Sequence, residues 1–550
     1  MSVQITDEWE RVLPSVFDLS GQERQTIVIY GWLLDGRLDV DKLQASWRKL
    51  VHKWPVLSAR LRNSDKVTDK MSRSIHWEYC IPPATLLDHV LDSDMSLDRP
   101  EATRAFLVDN RQGKVEAHYP FIRGADLPQD RPTSIKGAGV TETRPKSRSK
   151  EFLMWASNAP LTLSHLFKED RALVTVKITT FDNATAIGFS LPHVLFDGPG
   201  ALEPVRAWAK IVNGHEDEVE PLPRFGHDFF RTLAPGGEEA ERAAKERQIQ
   251  GKKGGPEPPF GWFAFSTFDK IRFGLRFVWD LFWTRPEHTM EGREIYVPRA
   301  VVARLKADAQ AVVSEICAAE DAARDEKTWI STSDVMHAYA LQLMCKADAK
   351  GRRDATPTVF AFPVNMRYIA PPTGCEPLPE IYTSNGAHAV VTPEHPLGKL
   401  AHEYSLGQIA LILRKASKEQ TSPRAVRDSL IWRLEKAAQG ALLTFFRPEV
   451  NWYLGTNWRR MAMYDVSFAG AAVPSTTTTG GGENVAVVSG ENVGKTLQLY
   501  ANVIADMPIR NAFSQQADDP AGGIWMSLGL AKWQWDLLDL DFRPHVGSKQ

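Results

Sequence analysis

Charge of neither sign is in surplus in this chain: 66 Lys and Arg stand against 68 Asp and Glu over 550 residues, a formal net charge of −2. A dedicated nucleic-acid binder carries a strongly positive domain, so the balance argues against that class. Cysteine is scarce, with Cys80, Cys317, Cys345 and Cys375 scattered and no C-x-x-C spacing. That disfavours a zinc ribbon, an iron–sulfur site or a disulfide framework, and it leaves reduced, buried thiols in a cytoplasmic protein as the expectation. Between Met1 and Glu10 there are acids where a signal peptide needs a basic and then an apolar stretch. No G-x-G-x-x-G follows a strand and no G-x-S-x-G occurs, so dinucleotide oxidoreductase and α/β-hydrolase readings have no anchor. A hydrophobic fraction of 43% with 24% charged residues excludes wholesale disorder and a multi-span membrane protein. What the chain does have is 17 Trp beside 25 Phe. Such a content fits an aromatic-walled pocket, a membrane-facing surface or a Trp-rich core.

Strand and helix patterns alternate along the chain. Residues 26–33 are β-rich, and Val40, Leu43, Trp47, Leu50, Val51 and Trp54 recur at steps of three and four behind Asp39. That predicts an amphipathic helix with an acidic first turn, ended by Pro55. Residues 128–150 are rich in Pro, Gly, Lys, Arg and Ser and read as an exposed loop. Two alternating runs, 173–180 and 184–191, flank Asp182-Asn183 as in a hairpin. A Pro/Gly-rich break at 234–259 divides the chain into units at 1–233 and 296–550, with 234–295 as a crossover connector. Inside the connector Phe268, Ile271, Leu275, Val278, Trp279 and Phe282 form a helical stripe broken by charged residues. Those charges argue against a bilayer span. Core packing, a lid over a pocket and contact with a membrane surface through 260–283 stay open. Strand runs at 356–364 and 524–530 resume the mixed pattern, and two layered α/β domains are the expected fold class.

The sharpest local feature is His193-Val194-Leu195-Phe196-Asp197-Gly198, two residues after the second hairpin run and just ahead of a helical stripe beginning at Leu202. A histidine on a loop between rigid elements is well placed as a general base. Its unperturbed pKa of roughly 6.5 leaves it neutral yet basic at cellular pH. Asp197 could orient the ring, or turn away and lock the loop by pairing elsewhere. Two other patterns fail their context tests. Gly494-Lys495-Thr496 ends a near P-loop, but an alternating, strand-like run follows where a helix is needed. His215-Glu216-Asp217-Glu218 reads as a solvated acidic loop, and no metal site is expected.

In full order the chain resembles the acyl-CoA-dependent acyltransferases known as BAHD, particularly the fungal secondary-metabolite branch with the trichothecene acetyltransferases. The family's H-x-x-x-D-G matches His193 to Gly198. Its opening motif is similar to Leu13–Asp18, its early helix end to Trp54–Leu61, its Asn-x-Arg to Asn365-Met366-Arg367, its later Asn to Asn385, and its closing strand to Gly522–Leu530. One signature departs: Y-x-x-D-F-G-x-G falls on Tyr464 to Ala471, with Ser467, Ala469 and Ala471 where an Asp and two glycines are expected around Phe468. In the family that segment is mainly structural and lies near the CoA channel, so donor binding is what the change puts in question. Asp465 is the nearest replacement charge.

The resemblance implies two similar-sized α/β domains, each a mixed sheet flanked by helices as in chloramphenicol acetyltransferase, with an active-site channel at their interface. It implies a monomer with no permanently bound cofactor, acyl-CoA as co-substrate and a small-molecule acceptor, which the aromatic content suggests is hydrophobic. His193 would be the base, with Asp197, Gly198 and Arg367 supporting its loop through an Asp197–Arg367 pair. Asn365 and Asn385 would lie along the channel and Ser467, Phe468 and Ala469 near the donor side. No covalent acyl-enzyme is needed. The competing reading is a non-acylating descendant of the fold, a cyclase or a small-molecule binding protein.

Overall fold

The computed structural model describes residues 5–14, 26–63, 77–119, 127–136, 141–142, 150–222, 225–252, 257–320, 329–473, 475–478, 484–487, 492–505 and 510–540. Strand β1 (Thr26–Asp35) and helix α1 (Val40–Lys53) lie where their patterns put them. Asp39 caps α1 by accepting a hydrogen bond from the Lys42 N–H at 3.1 Å, and Pro55 opens a separate 3-10 turn. The buried face of α1 is Leu43, Trp47, Leu50 and Val51. Strands β2 (Phe106–Asn110), β3 (Thr133–Lys136), β4 (Thr175–Thr180) and β5 (Ala184–Pro192) follow, then α2 (Gly198–Val212). Strands β4 and β5 form the expected hairpin, with Thr180 opposite Thr185. Strand β3 falls inside the stretch read as a loop. Its four residues extend because a distant strand supplies the hydrogen-bond partners, which no local pattern announces.

The connector holds helices α3 (Glu238–Ile249) and α4 (Thr267–Trp279), the latter running on through a π turn at Asp280–Thr284. Beyond it come β6 (Met290–Val297), α5 (Arg299–Glu320), α6 (Thr332–Ala349), β7 (Pro357–Asn365) and β8 (Ala387–Val391). The chain continues with α7 (Leu406–Gln420), α8 (Pro423–Ala438), β9 (Asn451–Asn457), β10 (Thr496–Ala505), β11 (Ala512–Asp518) and β12 (Ile524–Ala531).

Two mixed sheets with flanking helices organise the molecule, the α/β class expected from the sequence. The first runs β2-β4-β5-β1-β10 and ends on Thr141–Glu142; the second runs β8-β7-β9-β11-β12-β6-β3. Each sheet takes a strand from the other half of the sequence. Strand β10 pairs with β1 over nine residue positions, and β3 pairs with β6. The β10–β1 pairing ends at Thr26, whose carbonyl receives the His193 N–H. Each sheet has its own core: Trp32, Trp47, Trp155 and Trp208 in the first, Tyr339, Phe360, Phe513 and Met526 in the second. Cys80 and Cys345 are buried as expected, whereas Cys317 and Cys375 are only partly so. No helix among the described residues is long and apolar enough to cross a membrane.

Candidate active site

Strand β5, interior to the first sheet, ends at Pro192 and releases the chain there. Extended pairing persists one step further, since the His193 N–H donates to the Thr26 carbonyl at 2.8 Å. A tight turn follows, with the Leu195 N–H on the Pro192 carbonyl at 2.9 Å. Val194, Leu195 and Phe196 are all buried in the first core, which fixes the turn from below. The Tyr79 hydroxyl donates to the Val194 carbonyl at 2.7 Å. From the other half of the chain the Asn385 amide donates to the His193 carbonyl at 3.0 Å. The imidazole is half-buried, with Nδ1 enclosed and without a hydrogen-bond partner.

Asp197 turns away from the ring. Its Oδ1 accepts from Gly200 N–H and Arg367 Nη2, and its Oδ2 from Gly386 N–H and Arg367 Nη1, all four at 2.9 Å. Both oxygens are committed. Of the two roles left open by the sequence, the geometry has the aspartate locking the loop. Arg367 is held in turn by the Tyr382 and Ser384 carbonyls at 2.8 and 2.9 Å, and its guanidinium lies 5.0 Å from the Tyr382 ring centre. Burial works against the guanidinium's charge, but Asp197 outweighs it and raises the arginine pKa above its usual value. Asn365 Oδ1 receives the Arg367 N–H at 2.9 Å, while its Nδ2 is buried without a partner. Asn365 therefore keeps its amide NH2 available, and Asn385 spends its amide on the His193 loop.

Glycine at 198 opens α2 without crowding: an added Cβ would come no nearer than 3.5 Å to Met461 Sδ and the Tyr30 hydroxyl. The tight fit falls on Gly200, where a Cβ would sit 1.8 Å from the Thr383 carbonyl oxygen. Sequence reasoning missed Gly200, and it missed Tyr30 and Trp458, whose rings meet edge-on at 5.8 Å beside Gly198. Burial, then the charge of Asp197, holds the Tyr30 phenol protonated well above its ordinary pKa. Only the pairing of β1 with β5 brings Tyr30 there, opposite Phe189.

Ser467, Phe468 and Ala469 are not brought to His193. Phe468 packs edge-on against Trp208, ring centres 5.0 Å apart, and the Ser467 carbonyl accepts from Asn213 at 2.9 Å. Both contacts are near the C-terminal end of α2, whereas Asp197 caps its start. Fifteen helical residues separate the two by about 22 Å. Asp465, the nearest replacement charge, is exposed on a 3-10 turn. Of the opening motif, residues 15–18 lie outside the described residues. The near P-loop leads straight into β10, as its alternation indicated. The Trp surplus goes mostly elsewhere: Trp32, Trp54, Trp155 and Trp208 fill the first sheet's core, and Trp279 and Trp283 are exposed.

Comparison with known proteins places this geometry. The family described as the Transferase family matches residues 155–502, more than half of the chain and spanning both His193 and Arg367. The acetyltransferase MATC1 of Mycosarcoma maydis is 29% identical over 452 residues, 80% of each chain. The acetyltransferase adrJ of Penicillium roqueforti is 25% identical over 521 residues, 93% of this chain and 91% of its own. The structure of TRI101 from F. graminearum with coenzyme A and T-2 mycotoxin superposes with a TM-score of 0.56 at 11% identity, covering 96% of both chains. Vinorine synthase gives 0.55 at 14% identity, covering 98% of this chain and 94% of its own, and at such identities the likeness is one of fold. The chain belongs to the Transferase family, the BAHD-type acyltransferases.

Proposed function

We propose that this acyltransferase moves an acyl group from an acyl-CoA thioester to a hydroxyl of an apolar natural product, with His193 as general base. The observation that carries the reading is the clamp on the His193 loop. Thr26, Tyr79 and Asn385 hold its backbone, and Asp197 is fully spent on Arg367 and two backbone N–H groups. A ring presented that way acts as a positioned base without a carboxylate relay. The named activity of the relatives and the coenzyme A and mycotoxin held by TRI101 support the donor and the acceptor class.

The chemistry then runs in one active-site passage. Neutral His193 takes the acceptor's hydroxyl proton as its oxygen attacks the thioester carbonyl carbon. A tetrahedral oxyanion forms, for which the spare Asn365 Nδ2 is our candidate donor. The C–S bond breaks, the carbonyl re-forms as an ester, and the thiolate leaves with the proton carried by the imidazolium. No acyl group is attached to the protein at any step. The substitutions at 467, 469 and 471 lie about one helix length from Asp197, so they leave the His193 loop and its clamp untouched, and the donor panel below tests their effect on acyl-CoA. The test is a panel of acyl-CoA donors with apolar alcohols, read by free-thiol release and product mass. Release of thiol only when an acceptor is present supports the proposal; binding of acceptors with no thiol release from any donor would oppose it.

A further inference from the structure

The connector helix α4 presents a surface that nothing in the acyl-transfer site uses. Phe268, Ile271, Leu275, Val278 and Phe282 follow steps of three and four, with Trp279 and Trp283 alongside. All seven are between 45% and 68% exposed. The sequence left core packing open for this stripe, and the structure closes that option. At about 150–250 Å² for a whole aromatic side chain, the seven expose roughly 700 Å² of nearly continuous apolar surface. The largest patch on an ordinary monomer is about 300–600 Å².

The helix behind that surface is firmly built. Ser266 and Asp269 form a reciprocal cap at its start, with the Asp269 N–H on Ser266 Oγ at 3.2 Å and the Ser266 N–H on Asp269 Oδ2 at 3.0 Å. Its inner face packs through Phe273 on Phe265 and Phe446, with ring centres 5.8 and 5.4 Å apart. Arg276 donates to the Pro448 and Val450 carbonyls at 2.9 and 2.8 Å. At the far end Asp280 is gripped by Arg285 at 2.8 Å and Arg510 at 3.2 Å. The apolar stripe is therefore held outward on a fixed helix, and a swinging lid does not fit.

We propose that α4 and its π turn dock the enzyme onto the surface of a bilayer containing anionic phospholipid. Charge complementarity selects that occupant. Lys270 and Arg272 are exposed beside the stripe, Arg272 lying 3.5 Å from Glu449, while the two acids on the segment are engaged, Asp269 in the cap and Asp280 in its arginine cage. The helix thus sets two exposed cations, Lys270 and Arg272, next to Trp and Phe rings that suit the headgroup boundary. A protein partner of this area would carry about one hydrogen bond per 100–200 Å². The seven stripe side chains offer only two indole N–H groups.

Position gives the docking a use, and this part rests on the proposed function. The cluster under α4 contains Val359 and Ala361 of β7 and Trp452 and Leu454 of β9. Further along the same face of β7 come Pro363 and then Asn365, half-buried, beside half-buried Ala389 and Ala387 of β8. Six residues of strand, about 20 Å, lead from the helix to the neighbourhood of Arg367 and the His193 loop. An acceptor dissolved in the membrane would meet the site without crossing bulk water.

The test is co-sedimentation of the full chain with phosphatidylcholine vesicles, with and without one-quarter phosphatidylserine. It needs no turnover, so its failure and the failure of acyl transfer are separate results. We expect the protein to pellet with the anionic vesicles. Leu275→Glu with Trp283→Glu should weaken that partition at least tenfold while far-UV circular dichroism is unchanged, because both side chains are exposed. Lys270→Glu with Arg272→Glu should abolish the preference for phosphatidylserine. A wild-type chain that stays in the supernatant with both vesicle types overturns the proposal. So does a sedimentation-equilibrium dimer that the Leu275/Trp283 variant converts to monomer without any vesicle binding, which would assign the stripe to a second copy.

Discussion

Removing the Arg367 guanidinium exposes how the His193 loop is held. Asp197 is buried and takes four hydrogen bonds, two of them charge-assisted from Arg367. Arg367→Ala deletes those two and leaves a carboxylate in the interior with only the Gly200 and Gly386 N–H groups. Breaking one side of a buried ion pair costs about 3–5 kcal/mol. Asp197→Asn keeps the shape, but its amide nitrogen must face two donors whichever way it turns, at about 1–3 kcal/mol for each group left unsatisfied. The two side chains share their bonds, so the double variant Asp197→Asn/Arg367→Ala should be less destabilised than the sum of the singles. Arg367→Lys should recover part of the loss, since an ammonium reaches one carboxylate oxygen where the guanidinium fork reaches both. Denaturant unfolding by circular dichroism reads these differences, with thiol-release kinetics alongside. An Arg367→Ala chain within about 1 kcal/mol of wild type, or strictly additive singles, would refute the clamp.

Two further outcomes follow from packing and burial. Gly200→Ala should cost at least the 1–3 kcal/mol of an overpacked core, because its Cβ would meet the Thr383 backbone at 1.8 Å. Gly198→Ala should be close to neutral in the same melt, and equal effects would contradict the assignment of the tight contact to Gly200. Burial pushes His337 down to about 3, and burial with the Arg433 charge pushes His388 down to about 4. Both are neutral in the fold and titrate near 6.5 when unfolded, so stability is full above that pH. It should fall by up to about 1.4 kcal/mol per pH unit for each histidine as pH drops from 6.5 toward 4. His337→Phe, in its box of Phe360, Phe362 and Phe513, should flatten that slope; an unchanged slope would count against it.

Where a residue's fate is decided by its near neighbours, the sequence was readable. The Asp39 cap, the α1 stripe, the β4–β5 hairpin and the His193-to-Gly198 loop are all local patterns, and the ordered motifs carried Arg367 to Asp197 across 170 positions. Strand β3 and the insertion of β10 beside β1 were not readable, because each is created by pairing with a strand far away in sequence. Tyr30 and Gly200 escaped for the same reason: one reaches the site through cross-strand register, the other matters because the Thr383 backbone passes over it. For α4 the period showed a helix with an apolar face. Which surface meets that face is a tertiary fact, and an alternating stripe reads alike whether it is covered or bare.

The central claim rests on one side chain, and His193→Ala tests it. The loop is held through the backbone N–H and carbonyl of residue 193, which alanine keeps, so the fold should be unaffected. Thiol release from an acyl-CoA with a working acceptor should fall by about 10²–10⁴, the share of a general base, at an unchanged unfolding midpoint. Acyl transfer within a few-fold of wild type, or a loss matched by unfolding, would contradict the account.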